Sequence, residues 1–177
     1  MKKILLTLAL VGLVPAICAA GPTATIEVLS ISPSPHQVKI LSGDLDGAGP
    51  GTIFGSFCLE YGVHSGLGLG PVNAEIVPAA LTGGMVWDGD VIGGTRSVAP
   101  ASGDPLDMRS AYLVDKWKNM GYDGAAVQSA IWYIEAEKED IAGLAKDYFD
   151  EADAAVVAGY LNYTVKVVHV TDLNGNK

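Results

Sequence analysis

The hydrophobic period of this 177-residue chain changes at Asp104, and that change limits the folds open to it more than any other feature. Upstream, apolar and β-branched residues alternate over 23–31, weakly over 37–41, and again over 52–61, 72–77 and 85–92, with turns rich in Gly, Pro and Asp between them. Period two is the spacing of strands, because successive side chains leave opposite faces. Pro33 and Pro35 put the early break at an edge or in a loop, and 42–51, with four glycines and two aspartates, is a long turn.

Downstream the spacing becomes helical. Asp104 is placed to cap a first helix with Pro105 and Asp107 in its first turn, Leu106, Leu113 and Trp117 on one stripe, and Gly121 as its stop. A second helix is expected from Asp123 to about Glu137 with Val127, Ala130, Ile131 and Ile134 buried, and a third, rich in alanine, from about Asp150 to Tyr160. Strand alternation returns over 163–170. The order predicts an α+β fold: a β-sandwich or open β-barrel with a helical insertion of about three helices and a returning C-terminal strand. We expect a single domain over 21–177, β-rich over 21–103, helical over 104–161 and a strand over 162–170.

Residues 1–20 pair Lys2 and Lys3 with an apolar run from Ile4 to Val14, then Pro15 and small residues, the pattern of a secretory signal peptide. The run is short for a membrane-spanning helix. Cleavage after Ala20, the expected site, removes Cys18 and leaves Cys58 as the one cysteine, whereas cleavage after Ala16 keeps Cys18 and permits a Cys18–Cys58 disulfide. Ile17 stands before Cys18 where a lipoprotein signal has a small residue, so lipidation is not expected. Of eleven Lys and Arg residues, two lie in this leader, leaving nine against twenty acidic ones and no basic cluster, which excludes nucleic acid as a partner. The sequence carries no second hydrophobic stretch or sorting tail near Lys177. Asn174-Gly175 is a hairpin signal with no strand after it, so the terminus frays, the product is truncated, or an exposed edge recruits a strand from another molecule.

An unpaired thiol in an exported protein calls for a chemical reason. Cys58 lies in Phe57-Cys58-Leu59-Glu60, which reads as a strand; alternation sends Ile53, Phe57, Leu59 and Tyr61 to one face and Thr52, Phe54, Ser56, Cys58 and Glu60 to the more polar other. A buried structural cysteine belongs more often among aliphatic residues. Gln128 lies in Ala126-Val127-Gln128-Ser129-Ala130-Ile131-Trp132, beside the buried stripe, with Ile131 and Trp132 one turn on, near the positive end of its helix.

These two segments resemble the cysteine strand and glutamine helix of the thioester domains on bacterial surface proteins. The resemblance spans 56–60 and 124–134, with looser support around 112–117; Val127 departs from the threonine that commonly precedes the reactive glutamine. It implies an internal Cys58–Gln128 thioester, supported by Phe57, Glu60, Val127, Ile131 and Trp132 and attacked by an amine, giving covalent adhesion to an amine-bearing surface protein or matrix ligand. The expected product is therefore secreted or held at the cell surface, acts once rather than as an enzyme, and uses no cofactor. Two other readings stay open: a non-reactive structural or filament-forming protein of the same fold, self-associating through its C-terminal strand edge, and a secreted thiol hydrolase or transamidase.

Other signals read as structural. His64, six residues from Cys58 across a glycine turn, is a weak base candidate; His36 and His169 are expected to be structural or solvent-facing, and three dispersed histidines do not suggest a metal site. The glycines of 66–70 lack the lysine and helix of a phosphate loop, and the Asp-rich turns 44–47 and 88–90 lack the closing glutamate of a calcium loop. Glu135, Glu137, Glu139 and Asp140 are expected to form a solvated helix end.

Overall fold

A computed structural model describes residues 23–30, 35–59, 70–77, 106–135, 138–171 and 173. The expected leader, the 85–92 strand, Glu60, His64, Glu137 and the 88–90 turn lie outside the described residues, as does all of the 66–70 run except Gly70. The elements are β1 (Thr23–Ser30), β2 (His36–Gly43), β3 (Ile53–Ser56), β4 (Val72–Val77), α1 (Met108–Met120), α2 (Gly124–Ile134), α3 (Gly143–Val157) and β5 (Val167–Thr171). The fold is α+β. Its five strands form one antiparallel sheet, order β3-β2-β1-β4-β5, curled into a half-barrel. No second sheet faces it among the described residues, so the sandwich form of the expected fold does not appear there, and the chain's last strand returns to pair with β4.

Alternation builds the sheet's core. Ala24 and Ile26 on β1, Val38 and Ile40 on β2, and Val72 and Ala74 on β4 bury one face together with Leu45, and Phe54, Ile76 and Val168 pack against them. Register shifts between Thr25 and Ile26, and between Val28 and Ser30, are irregularities of the kind that increase local twist and curl. The β2–β3 connection turns at Asp46-Gly47, both with positive φ, 54° and 84°, between the bridged pair Leu45 and Ala48. Asp-Gly is the pair that tolerates such a turn, and the Asp44 carboxylate is occupied in it by the Gly47 N–H at 2.8 Å. Across β4–β5, His169 Nδ1 meets Glu75 Oε1 at 3.2 Å.

The helices form a second core. Asp107, rather than Asp104, is the N-cap of α1, accepting from the Arg109 N–H at 2.8 Å; Gly121, at φ 73°, ends the helix in the left-handed conformation that glycine adopts without penalty. Asp123 then caps α2 through the Ala126 N–H at 2.8 Å, so α1 and α2 are joined by three residues. Leu113, Val127, Ala130, Ile131 and Ile134 are buried between them, and Ala145 and Ala152 of α3 close the cluster. The third helix begins seven residues earlier than the sequence suggests, after Ala142, which offers no capping side chain and hence no start signal. No helix among the described residues is long and apolar enough to cross a membrane.

Sheet and helices meet along 55–59. Phe57 and Leu59 pack into the helical cluster, and the Phe57 ring meets Trp117 edge-on, centroids 5.3 Å apart. Gly55 lies so close to this indole that a Cβ there would sit 2.3 Å from Trp117 Cη2.

Candidate functional site

The expected strand over 52–61 is shorter than its hydrophobic pattern: β3 stops at Ser56, and Phe57, Cys58 and Leu59 leave the sheet for the helices. Cys58 thereby exchanges a strand partner for a side chain. Its N–H donates to Gln128 Oε1 at 2.9 Å, and its carbonyl accepts from Gln128 Nε2 at 2.7 Å. The glutamine carboxamide thus does what an opposing strand residue would do, satisfying a backbone donor and acceptor together. Gln128 is only 2 % exposed, so its amide plane is fixed both by these bonds and by packing.

Three features of the sequence put Gln128 there. The Asp123 cap fixes where α2 begins; Val127, Ala130 and Ile131 fix which face is buried; and Phe57 and Leu59 bring the Cys58 backbone to that face. Gln128 lies in the second turn, where the helix dipole favours negative charge developing on Oε1. The polarisation by the Cys58 N–H acts in the same sense.

The thiol has a partner that the sequence did not reveal. His36 Nε2 lies 2.9 Å from Cys58 Sγ, a contact that the expectation of a structural or solvent-facing histidine did not include. His36 stands opposite Ser56, the last residue of β3, so its ring lies where the chain leaves the sheet towards Cys58. The signal was present in the Asp46-Gly47 turn, but the bridge around that turn had to be known before the register could be counted. Cys58 is half-buried.

The other expected site residues are distributed around this pair. Val127 and Ile131 are fully buried in the helical core, where an apolar side chain at 127 contributes to packing. Trp132 is half-buried, with Lys138 Nζ 5.9 Å from its ring centroid. Glu135 is a correction. It is 4 % exposed rather than solvated, and accepts a 2.5 Å hydrogen bond from the Ser110 hydroxyl, a link between α1 and the end of α2.

A tyrosine cluster ties α3 to the other helices. The Tyr112 and Tyr122 hydroxyls each donate to Glu151 at 2.6 Å, and these two bonds, Tyr112's first, hold its carboxyl below the usual glutamate range. Burial and then the Glu151 contact push the Tyr122 phenol up to about 12, and raise Tyr112 for the same reasons. Tyr122 also stacks on Tyr148 with ring centroids 4.2 Å apart.

No protein-family model matches the chain, and neither a curated protein nor a solved structure matches it.

Proposed function

We propose that this chain is an exported thioester domain that attaches itself covalently to an amine-bearing partner at the cell surface or in the surrounding matrix. The observation that carries the reading is the two-point bonding of the Gln128 carboxamide to the Cys58 backbone. It holds an acyl carbon beside the residue bearing the thiol, and it aims a backbone N–H at the oxygen on which charge develops when that carbon is attacked. Orientation of this kind lowers a barrier by roughly 7–11 kcal/mol relative to free reactants.

The thiol displaces ammonia from the Gln128 amide, forming a Cys58–Gln128 thioester; a lysine amine of the partner then displaces the thiol, forming an amide and regenerating Cys58. The domain is used once. The leader-like pattern of residues 1–20 supports export, and capture outside the cell gives the Cys58 thiol a role.

The contact between His36 and Cys58 also suits a thiol hydrolase. Gln128 argues against that reading, because both ends of its amide are engaged by Cys58 and its carbonyl takes up the N–H that a substrate oxyanion would need. Intact mass of the purified secreted protein decides. A thioester makes the protein lighter than its sequence by one ammonia and resistant to thiol alkylation, and methylamine adds its mass while exposing Cys58. Gln128→Ala and Cys58→Ala each abolish covalent linking to an amine. A full sequence mass with freely alkylated Cys58 in fresh protein refutes the proposal.

A further inference from the structure

We propose that His36 is the proton relay of both steps, carrying the thiol proton to the departing ammonia and later the amine proton to the departing thiol. The inference rests on the thioester reading and adds to it the group that makes each bond exchange possible near neutral pH.

The chemistry demands such a group. An ordinary thiol ionises near pH 8.5, so at neutral pH only a small fraction is the nucleophilic thiolate. An amide nitrogen is a very poor leaving group unless it gains a proton as it departs. One base that becomes an acid in the same step meets both demands, and imidazole, ionising at about 6.5, is the side chain suited to it. His36 Nε2 lies 2.9 Å from Sγ, within direct proton-transfer reach, while the amide to be cleaved is bonded to the same cysteine's backbone. With the ring's proton on Nδ1, Nε2 accepts the S–H.

In the forming step the S–H bond breaks to Nε2 of His36, the sulfur bonds to Cδ of Gln128, and Oε1 gathers charge against the Cys58 N–H. The Cδ–N bond then breaks as the imidazolium returns its proton to the leaving nitrogen, releasing ammonia. In the capture step a neutral amine attacks Cδ and the C–S bond breaks; the amine's extra proton passes to the imidazole and from it to the thiolate. Atoms and charge balance in both, and no other reactant is needed.

The backbone geometry makes the relay a property of the fold. The β2–β3 register places His36 opposite Ser56, where β3 ends, and the Gln128 carboxamide holds the Cys58 backbone just beyond, so the two together set the distance between ring and sulfur. The side chain is brought to the sulfur from the sheet, and the amide from the helices.

The test follows two rates in the secreted chain: ammonia loss by intact mass during refolding from denaturant, and thiol release when methylamine opens the thioester. His36→Ala and His36→Gln are each expected to slow both by roughly 10²–10⁴-fold, the usual reach of general acid–base catalysis. Added imidazole is expected to restore part of the rate to His36→Ala, which a packing role would not produce; His36→Gln keeps most of the ring's volume should the alanine variant fold poorly. Wild-type rates in either folded variant, or slowing that imidazole does not relieve, overturn the relay while leaving the thioester standing. A wild-type protein that never loses ammonia overturns the thioester reading itself, and the relay with it.

Discussion

Replacing Gly55 with alanine adds one methyl at the point where the sheet meets the helices. The new carbon would lie 2.3 Å from Trp117 Cη2, 2.9 Å from Cζ3 and 3.2 Å from Cζ2. No buried pair tolerates the first of these distances, so the indole must move, and it is not free to. Its neighbour Phe57 meets it edge-on at 84°, inside the cluster that Leu113 and Val127 also line. Forcing an extra methyl into such packing costs about 1–3 kcal/mol. Loss of the aromatic contact adds about 0.5–1.5 kcal/mol. Together these put the expected loss at roughly 2–4 kcal/mol, a fall in melting temperature of roughly 5–15 °C for a chain of this size. Calorimetry or a urea titration measures it, and Trp117→Leu supplies the control. If the collision is the cause, the alanine should cost far less in the Trp117→Leu background, with a coupling of about 1–3 kcal/mol between the two sites. Because Phe57 precedes Cys58, thioester formation should slow in the single variant. A Gly55→Ala protein that melts with wild type, or two strictly additive substitutions, would refute the close packing inferred at this joint.

Two further outcomes test the helical unit. Asp107→Ala removes the α1 cap and one partner of the Arg109 guanidinium, bonded at 2.6 Å, and should cost about 1–2 kcal/mol, seen as a lower urea midpoint with Asp107→Asn less affected. In an alkaline absorbance titration Tyr122 should ionise only near pH 12. A raised phenol stabilises the fold fully below its ordinary value near 10 and progressively less as pH climbs towards 12, so stability should fall across that window. Glu151→Gln should move the Tyr122 transition towards its ordinary value. Glu151 itself has the opposite sign: its contribution is present above the ordinary glutamate range and fades as pH falls through its lowered folded value.

Local rules wrote much of this fold into the sequence. Alternation marked β1, β2 and β4; Asp123 and Gly121 carried the end of one helix and the start of the next, because capping and the left-handed stop depend on single residues. The buried stripe of α2 follows from its spacing alone. Where local signals compete, spacing alone misleads. Residues 163–166 alternate like a strand, but the Asn162 side chain accepts from both the N–H and the hydroxyl of Thr164, at 2.8 and 2.7 Å, and this local turn holds β5 back to Val167. Glu135 looks solvated beside three other acids, yet it is buried and accepts a hydrogen bond from a hydroxyl on α1.

The candidate site divides the same way. Residue types and their local settings single out Cys58 and Gln128, since a cysteine behind a leader-like N-terminus and a glutamine near an expected helix start can both be read from the sequence. Their contact is not local: the carboxamide and the Cys58 backbone are 70 residues apart and meet only because β3 breaks off at Ser56. The approach of His36 to the sulfur depends on strand register, where a shift of one residue would turn the ring to the other face. Composition and periodicity decide what each segment is, because they act within a few residues; which atoms face one another across segments is decided by packing, which no segment contains on its own.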